Sequence, residues 1–263
     1  MIRIKGLITV FVDADNTLWD TDQVFASAQL ALLEQVEAAT GLRVPTGNRL
    51  DFVRACDQAI AARHHDGLRY PPHLLVRALV FALQGQPSEV AARAAWSNHL
   101  PSMPASVDEG LLVKRFFAAL KHPPALRAGV VEGLMMLEKA NATVLIVTEA
   151  ARIRVEETTA KLGLAGHFTR VIEGRKRPDL FRRIVRLTGD PAAAYMVGDQ
   201  LDRDIAPAKE AGLRTIYFPG NFVPRWTPDK EKVGPDHQVS DFAEAAAIIL
   251  EGETAQSVRA MQA

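Results

Sequence analysis

Five short runs of apolar, largely β-branched residues constrain this chain more than any other feature: Leu7–Val12, Thr143–Val147, Phe168–Ile172, Ala193–Val197 and Thr215–Phe218. Each has the length of a strand and is nearly continuous rather than alternating. Strands buried on both faces read this way, as in a parallel sheet covered by helices on either side. Helical spacing fills most of the gaps between them. Val130, Leu134 and Leu137 share one face, Leu180, Phe181, Ile184 and Val185 share another, and Ala206 to Gly212 reads as a short helix closed by glycine. This alternation predicts an α/β fold, a doubly wound parallel sheet with right-handed crossovers.

One gap does not fit. Between the first and second runs lies a long segment with almost no strand signal. Phe25, Ala28, Leu32 and Val36 fall at helical spacing, as do Leu74, Leu75, Ala78, Leu79 and Ala82, and then Leu112, Phe116, Phe117 and Leu120. Breakers at Pro45–Gly47, Pro71–Pro72 and Pro101–Pro104 divide these helices. A single crossover cannot use so much chain. The expected organisation is a sheet core of residues 1–20 and 126–263 and a smaller all-helical domain of residues 21–125. The connectors fall near Leu18–Thr21 and Lys121–Gly129. The polar tail after Gly252 is expected to fray.

The 263 residues hold 31 Lys plus Arg against 31 Asp plus Glu, so the chain offers no general attraction to nucleic acid or to an anionic membrane. Its one cysteine, Cys56, excludes an intrachain disulfide and fits a reducing compartment. No apolar run approaches the ~20 residues of a membrane span, and the first is too short for a signal-peptide core. A cytoplasmic protein is the expectation.

The chemistry gathers where the apolar runs stop. The first ends at Asp13, the second at Thr148 and the fourth at Gly198–Asp199, and just past the third stands Glu173–Gly174–Arg175–Lys176. Ligands of open parallel sheets bind outside the carboxyl ends of the strands, so these residues are expected at one edge. Asp13, Asp15 and Asp199 at close range would repel one another. A Mg²⁺ ion relieves that repulsion, because it is a hard cation held by one or two carboxylates, waters and substrate phosphate oxygens. Thr148 and Lys176 would then face the remaining phosphate oxygens. Such a site suits phosphoryl transfer. One of the two motif aspartates could attack phosphorus and the other move the proton.

Together these residues resemble the haloacid dehalogenase superfamily, in particular its phosphatase branch. The first family motif reads Asp13–Ala14–Asp15–Asn16–Thr17. The second ends an apolar strand at Thr148, the third is the lysine of "GRKRPDLF" at Lys176, and the fourth runs from Gly198–Asp199 to Asp204. The resemblance covers roughly residues 1–20 and 126–250, and the helical insertion stands where the family carries a cap domain. It implies a Rossmann-like core with Asp13 as nucleophile, forming an aspartyl-phosphate, and Asp15 as general acid/base. Thr148 and Lys176 would bind the phosphoryl group, and Mg²⁺ would be held by Asp13, Asp199 and the Asp15 backbone carbonyl. Asp204 and Thr17 would play supporting parts. Three departures or ambiguities remain. Glu149 follows Thr148 where the family often has asparagine, Arg175 competes with Lys176, and Asp202 competes with Asp204.

Other polar features weigh less. The "RHHDGLRYPP" stretch, with His64, His65, Asp66, Arg69 and Tyr70, reads as a helix end running into a loop, since adjacent histidines share no helix face. Thr148 also suits a helix N-cap. Trp19 and Asp20 fit either a site wall or packing at the connector, and "NFVPRW" reads as a loop anchored by Trp226. The expected activity is a Mg²⁺-dependent phosphatase of a small phosphorylated metabolite, closed over by its helical cap. A phosphomutase is the alternative, with a dehalogenase disfavoured by Asp15 and a silent binding protein disfavoured by both motif aspartates.

Overall fold

The computed structural model describes residues 8–45, 47–64, 70–97, 103–188 and 193–262. Leu7, His65, Asp66, Arg69 and Pro101, singled out above, lie outside the described residues. Two compact units divide the chain, Met1–Asp22 with Pro124–Ala263 and Gln23–Pro123.

The first unit is built on a six-stranded sheet in the order β3-β2-β1-β4-β5-β6, parallel throughout. The strands are β1 (Thr9–Val12), β2 (Thr143–Thr148), β3 (Arg170–Glu173), β4 (Ala194–Gly198), β5 (Arg214–Tyr217) and β6 (His237–Gln238). The central strands β1, β2 and β4 are buried at every position, which is why their sequences are continuously apolar. Alternate residues feed opposite faces. Val10, Val12, Val144 and Ile146 pack with Leu134 and Leu137 of α6 (Val130–Lys139) and with Phe242 and Ile249 of α11 (Phe242–Gln262). Phe11, Leu145 and Met196 pack with Phe181 and Ile184 of α8 (Pro178–Thr188). Each side chain of this size, once buried, contributes about 1.5–3 kcal/mol. Gly133 sets the closeness of α6 to α11, because a Cβ there would stand 2.8 Å from the Phe242 carbonyl oxygen.

The structure corrects several expectations. β3 begins two residues late, at Arg170, and its end residues are exposed because it is an edge strand. β6 has no apolar pattern and is too short to leave one. α11 runs from Phe242 past Gly252 to Gln262. Trp226, expected to anchor its loop, is 39% exposed. Of the two readings of Trp19, packing at the connector agrees with its burial in the same core cluster as Leu18 and Val130.

The second unit carries most of α1 (Thr21–Thr40), with α2 (Arg49–Ala61), α3 (His73–Leu83), α4 (Ser88–Trp96) and α5 (Glu109–Ala119). Asn48 caps α2 by accepting from the N–H groups of Leu50 and Asp51, and Asp108 caps α5 by accepting from that of Leu111. Leu32, Val36, Val53, Ile60, Leu75, Leu79, Phe81 and Phe116 form its core, with Cys56 buried among them. Phe117 does not join it; it is 48% exposed, because α5 buries the side that carries Leu112 and Phe116 and turns Phe117 to solvent. Phe25 is likewise exposed. Two buried carboxylates have built-in partners. Glu37 accepts both guanidinium N–H groups of Arg49 and the Val44 N–H, which outweigh burial and hold its carboxyl below the ordinary value. Asp57 accepts from Tyr70 Oη and from Gln29 Nε2.

Among the described residues no helix is long and apolar enough to cross a membrane.

Candidate active site

The ends of β1, β2 and β4 carry the polar residues that the sequence places there. β1 lies between the other two, with Val12 opposite both Ile146 and Val197. One residue on, the Asp13 N–H still donates to the Val197 carbonyl at 3.0 Å, so Asp13 extends the ladder at its carboxyl edge and is 4% exposed. The chain then turns. Asn16 takes a left-handed φ of 60°, a conformation that asparagine tolerates, and donates its N–H to the Trp19 carbonyl at 2.7 Å. The Asp15 carboxylate is held on this turn, accepting from Trp19 Nε1 at 2.9 Å and Thr21 Oγ1 at 2.7 Å through one oxygen. Thr17 is fully buried, and its hydroxyl has no hydrogen-bond partner among the described residues.

Thr148 closes β2, and its Oγ1 accepts from the Ala150 N–H at 3.1 Å. It does not cap the next helix, α7 (Arg152–Lys161), whose N-cap position is Ala151. Lys176 stands in the loop between β3 and α8 and is buried, whereas Arg175 and Arg177 are exposed. Its Nζ donates to Asp13 Oδ1 and, at 2.6 Å, to Asp204 Oδ1.

Asp204 sits in a π-helical turn, Leu201–Ile205, that joins β4 to α9 (Ala206–Glu210). It is fully buried, and its second oxygen accepts from the Gln200 N–H at 2.9 Å, while Asp202 is exposed. Gly198 is what admits Asp204, because a Cβ at 198 would meet the Asp204 side chain at 2.4 Å. Asp199 is buried, and its Oδ1 has no hydrogen-bond partner among the described residues.

Oxygens of Asp13, Asp199 and Asp204 all lie within 4.8 Å of one another. The Asp15 carboxylate does not belong to this group, because the backbone turns after Asp13 rather than staying extended. Burial pushes the Asp13 carboxyl up to about 7 against the pull of Lys176, with Asp204 adding to the rise. Burial, then the charges of Asp204 and Asp13, drive Asp199 well above the carboxylate range. Burial opposes the Lys176 charge, but Asp13 and Asp204 outweigh it and hold the ammonium above its ordinary value. Three carboxyl groups share one ammonium in a buried space, so they cannot all ionise there without a further cation. With an orphaned Asp199 oxygen, an all-oxygen donor set fits a small hard cation. Asp204 already spends both oxygens on Lys176 and Gln200, so Asp13 and Asp199 are the residues suited to ligation.

Arg127 and Glu149 belong to the same structure and carry no warning in the sequence beyond the departure at Glu149. Arg127 donates to the carbonyls of Asn16, Phe218 (3.1 Å) and Pro219 (2.7 Å), with its guanidinium 3.5 Å above the Phe218 ring. It thereby ties the turn after Asp13 to the loop after β5. Glu149 accepts from the Lys176 backbone N–H at 3.0 Å and from Arg203 at 2.9 Å.

A family model for haloacid dehalogenase-like hydrolases matches residues 9–212. Glyceraldehyde 3-phosphate phosphatase from Pyrococcus furiosus is 27% identical over 227 residues, covering 83% of this chain and 82% of that protein. A haloacid dehalogenase-like family hydrolase from Xanthomonas campestris shares the fold with a TM-score of 0.60 and 21% identity, over 97% of this chain and 99% of its own. The putative hydrolase YfnB from Bacillus subtilis, solved bound to magnesium, aligns with a TM-score of 0.59 and 18% identity, over 92% of this chain and 98% of its own.

Proposed function

The chain belongs to the haloacid dehalogenase-like hydrolases, and from that premise we propose that it is a Mg²⁺-dependent phosphatase of small phosphorylated metabolites, working through an aspartyl-phosphate. The observation that carries this reading is the convergence of Lys176 Nζ on Asp13 and Asp204, with Asp199 in the same 4.8 Å carboxylate group. The Pyrococcus furiosus phosphatase supports a small phosphorylated substrate, and the magnesium-bound Bacillus subtilis structure supports the choice of ion.

In this mechanism an Asp13 oxygen bonds to phosphorus as the bond to the leaving oxygen breaks, and that oxygen takes a proton from Asp15. Water then gives a proton to Asp15 while its oxygen attacks the phosphorus. Inorganic phosphate departs, Asp13 returns to carboxylate and Asp15 to acid. Trp19 and Thr21 hold the Asp15 carboxylate on its turn through both steps. Lys176 and Thr148 take the phosphoryl oxygens, and Asp204 keeps Lys176 aimed. Asp13, Asp199 and the Asp15 backbone carbonyl would hold Mg²⁺, which when bound would neutralise charge on the transferring group.

The test is phosphate release from a panel of phosphorylated trioses, sugars and acids and from p-nitrophenyl phosphate with Mg²⁺ present. Asp13→Asn is expected to abolish release with the fold intact, and EDTA to silence the parent. Normal hydrolysis by Asp13→Asn would remove the nucleophile assignment, and full activity in excess EDTA would remove the metal. An isomerised sugar phosphate in place of free phosphate would make the enzyme a mutase.

A further inference from the structure

Lys176 has a long, flexible stem and stands in a loop, yet it must deliver one ammonium to a fixed point. Three contacts tie that loop to the turn after β2. The Gly174 N–H donates to the Thr148 carbonyl at 2.9 Å, Glu173 accepts the Arg152 N–H at 2.7 Å, and Glu149 Oε1 accepts the Lys176 N–H at 3.0 Å. The last differs from the others because Glu149 uses its second oxygen as well, on Arg203 at 2.9 Å. Arg203 immediately precedes Asp204, the residue that receives Lys176 Nζ at 2.6 Å. One carboxylate therefore holds the Lys176 backbone N–H and the guanidinium of Arg203, the neighbour of Asp204, at the two ends of the Lys176–Asp204 ion pair. Asparagine could not do this, having one fewer methylene and an amide nitrogen that cannot accept from Arg203.

We infer that Glu149 is a positioning residue for Lys176, fixing the reach of its ammonium to Asp13 through the Lys176 backbone and Arg203. The kinetic consequence rests on the phosphatase reading; the placement of the ammonium does not.

The experiment compares the parent with Glu149→Ala, Glu149→Gln and Arg203→Met, measuring kcat and KM on p-nitrophenyl phosphate with saturating Mg²⁺ and the melting temperature of each. Glu149→Ala is expected to lower kcat/KM by about ten- to a hundredfold, the scale of an ångström misplacement, while still melting close to the parent. Glu149→Gln keeps one oxygen for the Lys176 N–H but, like Arg203→Met, loses the Arg203 contact, so both are expected to fall between the parent and Glu149→Ala. Parental kinetics in Glu149→Ala would overturn the inference. So would equal impairment of Glu149→Gln, or a loss explained by unfolding. A crystal structure of Glu149→Ala without substrate gives a readout free of activity: Lys176 Nζ should leave Asp13, and an unmoved ammonium would overturn the inference. If the parent releases phosphate from no compound, the phosphatase reading fails and the crystal structure alone decides the positioning.

Discussion

Replacing Gly198 with alanine adds one methyl group to the end of β4, and its consequence can be worked out from the neighbours. The φ of Gly198 lies outside the left-handed region, so backbone preference contributes nothing. The added Cβ would stand 2.4 Å from Cβ and Cγ of Asp204 and 2.5 Å from its Oδ2, where ordinary contact begins near 3.4 Å. Asp204 or the strand must therefore yield by about 1 Å, at an overpacking cost of about 1–3 kcal/mol. The 2.6 Å contact to Lys176 then stretches beyond hydrogen-bonding distance. A charge-assisted bond of this kind is worth about 1.5–3 kcal/mol. Together these imply a loss near 4 kcal/mol, or about 8–16 °C in the melting transition of the unit that carries the sheet. Calorimetry reads the stability, and p-nitrophenyl phosphate turnover well below the transition reads the displaced Lys176, expected to cost at least tenfold. In an Asp204→Gly background, which removes the opposing side chain, the same alanine should cost less than about 1 kcal/mol. A parental melting temperature for Gly198→Ala, or an undiminished penalty in the double variant, would refute the steric argument.

In the helical unit, burial raises the Asp57 carboxyl while Tyr70 and Gln29 hold it down. The folded group binds its proton more tightly than the unfolded one, so its contribution to stability falls as pH rises from the unfolded value through the raised folded one. Tyr70→Phe removes a donor to the charged form and should cost about 1–3 kcal/mol at pH 7 and less at pH 4; urea unfolding giving equal losses at both would contradict this. Arg127→Met leaves the carbonyls of Asn16, Phe218 and Pro219 without their shared donor. Urea unfolding should show a loss of about 2–4 kcal/mol, which Arg127→Lys should not restore because a point charge lacks the planar fork; parental stability in either variant would contradict the clamp.

The α/β class was legible because it is written locally. Burial on both faces leaves continuous apolar runs, and the helical spacings between them need no knowledge of the partner. Local pattern also marks the polar residues that end those runs, so Asp13, Thr148 and Asp199 stand out without coordinates. Boundaries were less legible at the sheet margins, where β3 and β6 lie partly in water and lose the pattern. Phe117 was not legible because helical spacing alone does not say how wide the buried stripe of α5 is, and that stripe stops at Leu112 and Phe116.

The amino-acid order by itself determined which segments become buried strands and which polar groups stop them, since burial imposes its period on neighbours along the chain. Only the tertiary structure decided how those groups pair. Lys176 rather than Arg175 is buried, Asp204 rather than Asp202 receives it, and Asp15 turns toward Trp19 and Thr21. The Lys176–Asp13 contact joins residues 163 positions apart, and the Arg127–Asn16 contact residues 111 apart. No periodicity spans such distances; hydrogen-bond direction and the room left by a missing methyl group at Gly198 select these partners once the sheet has brought them together.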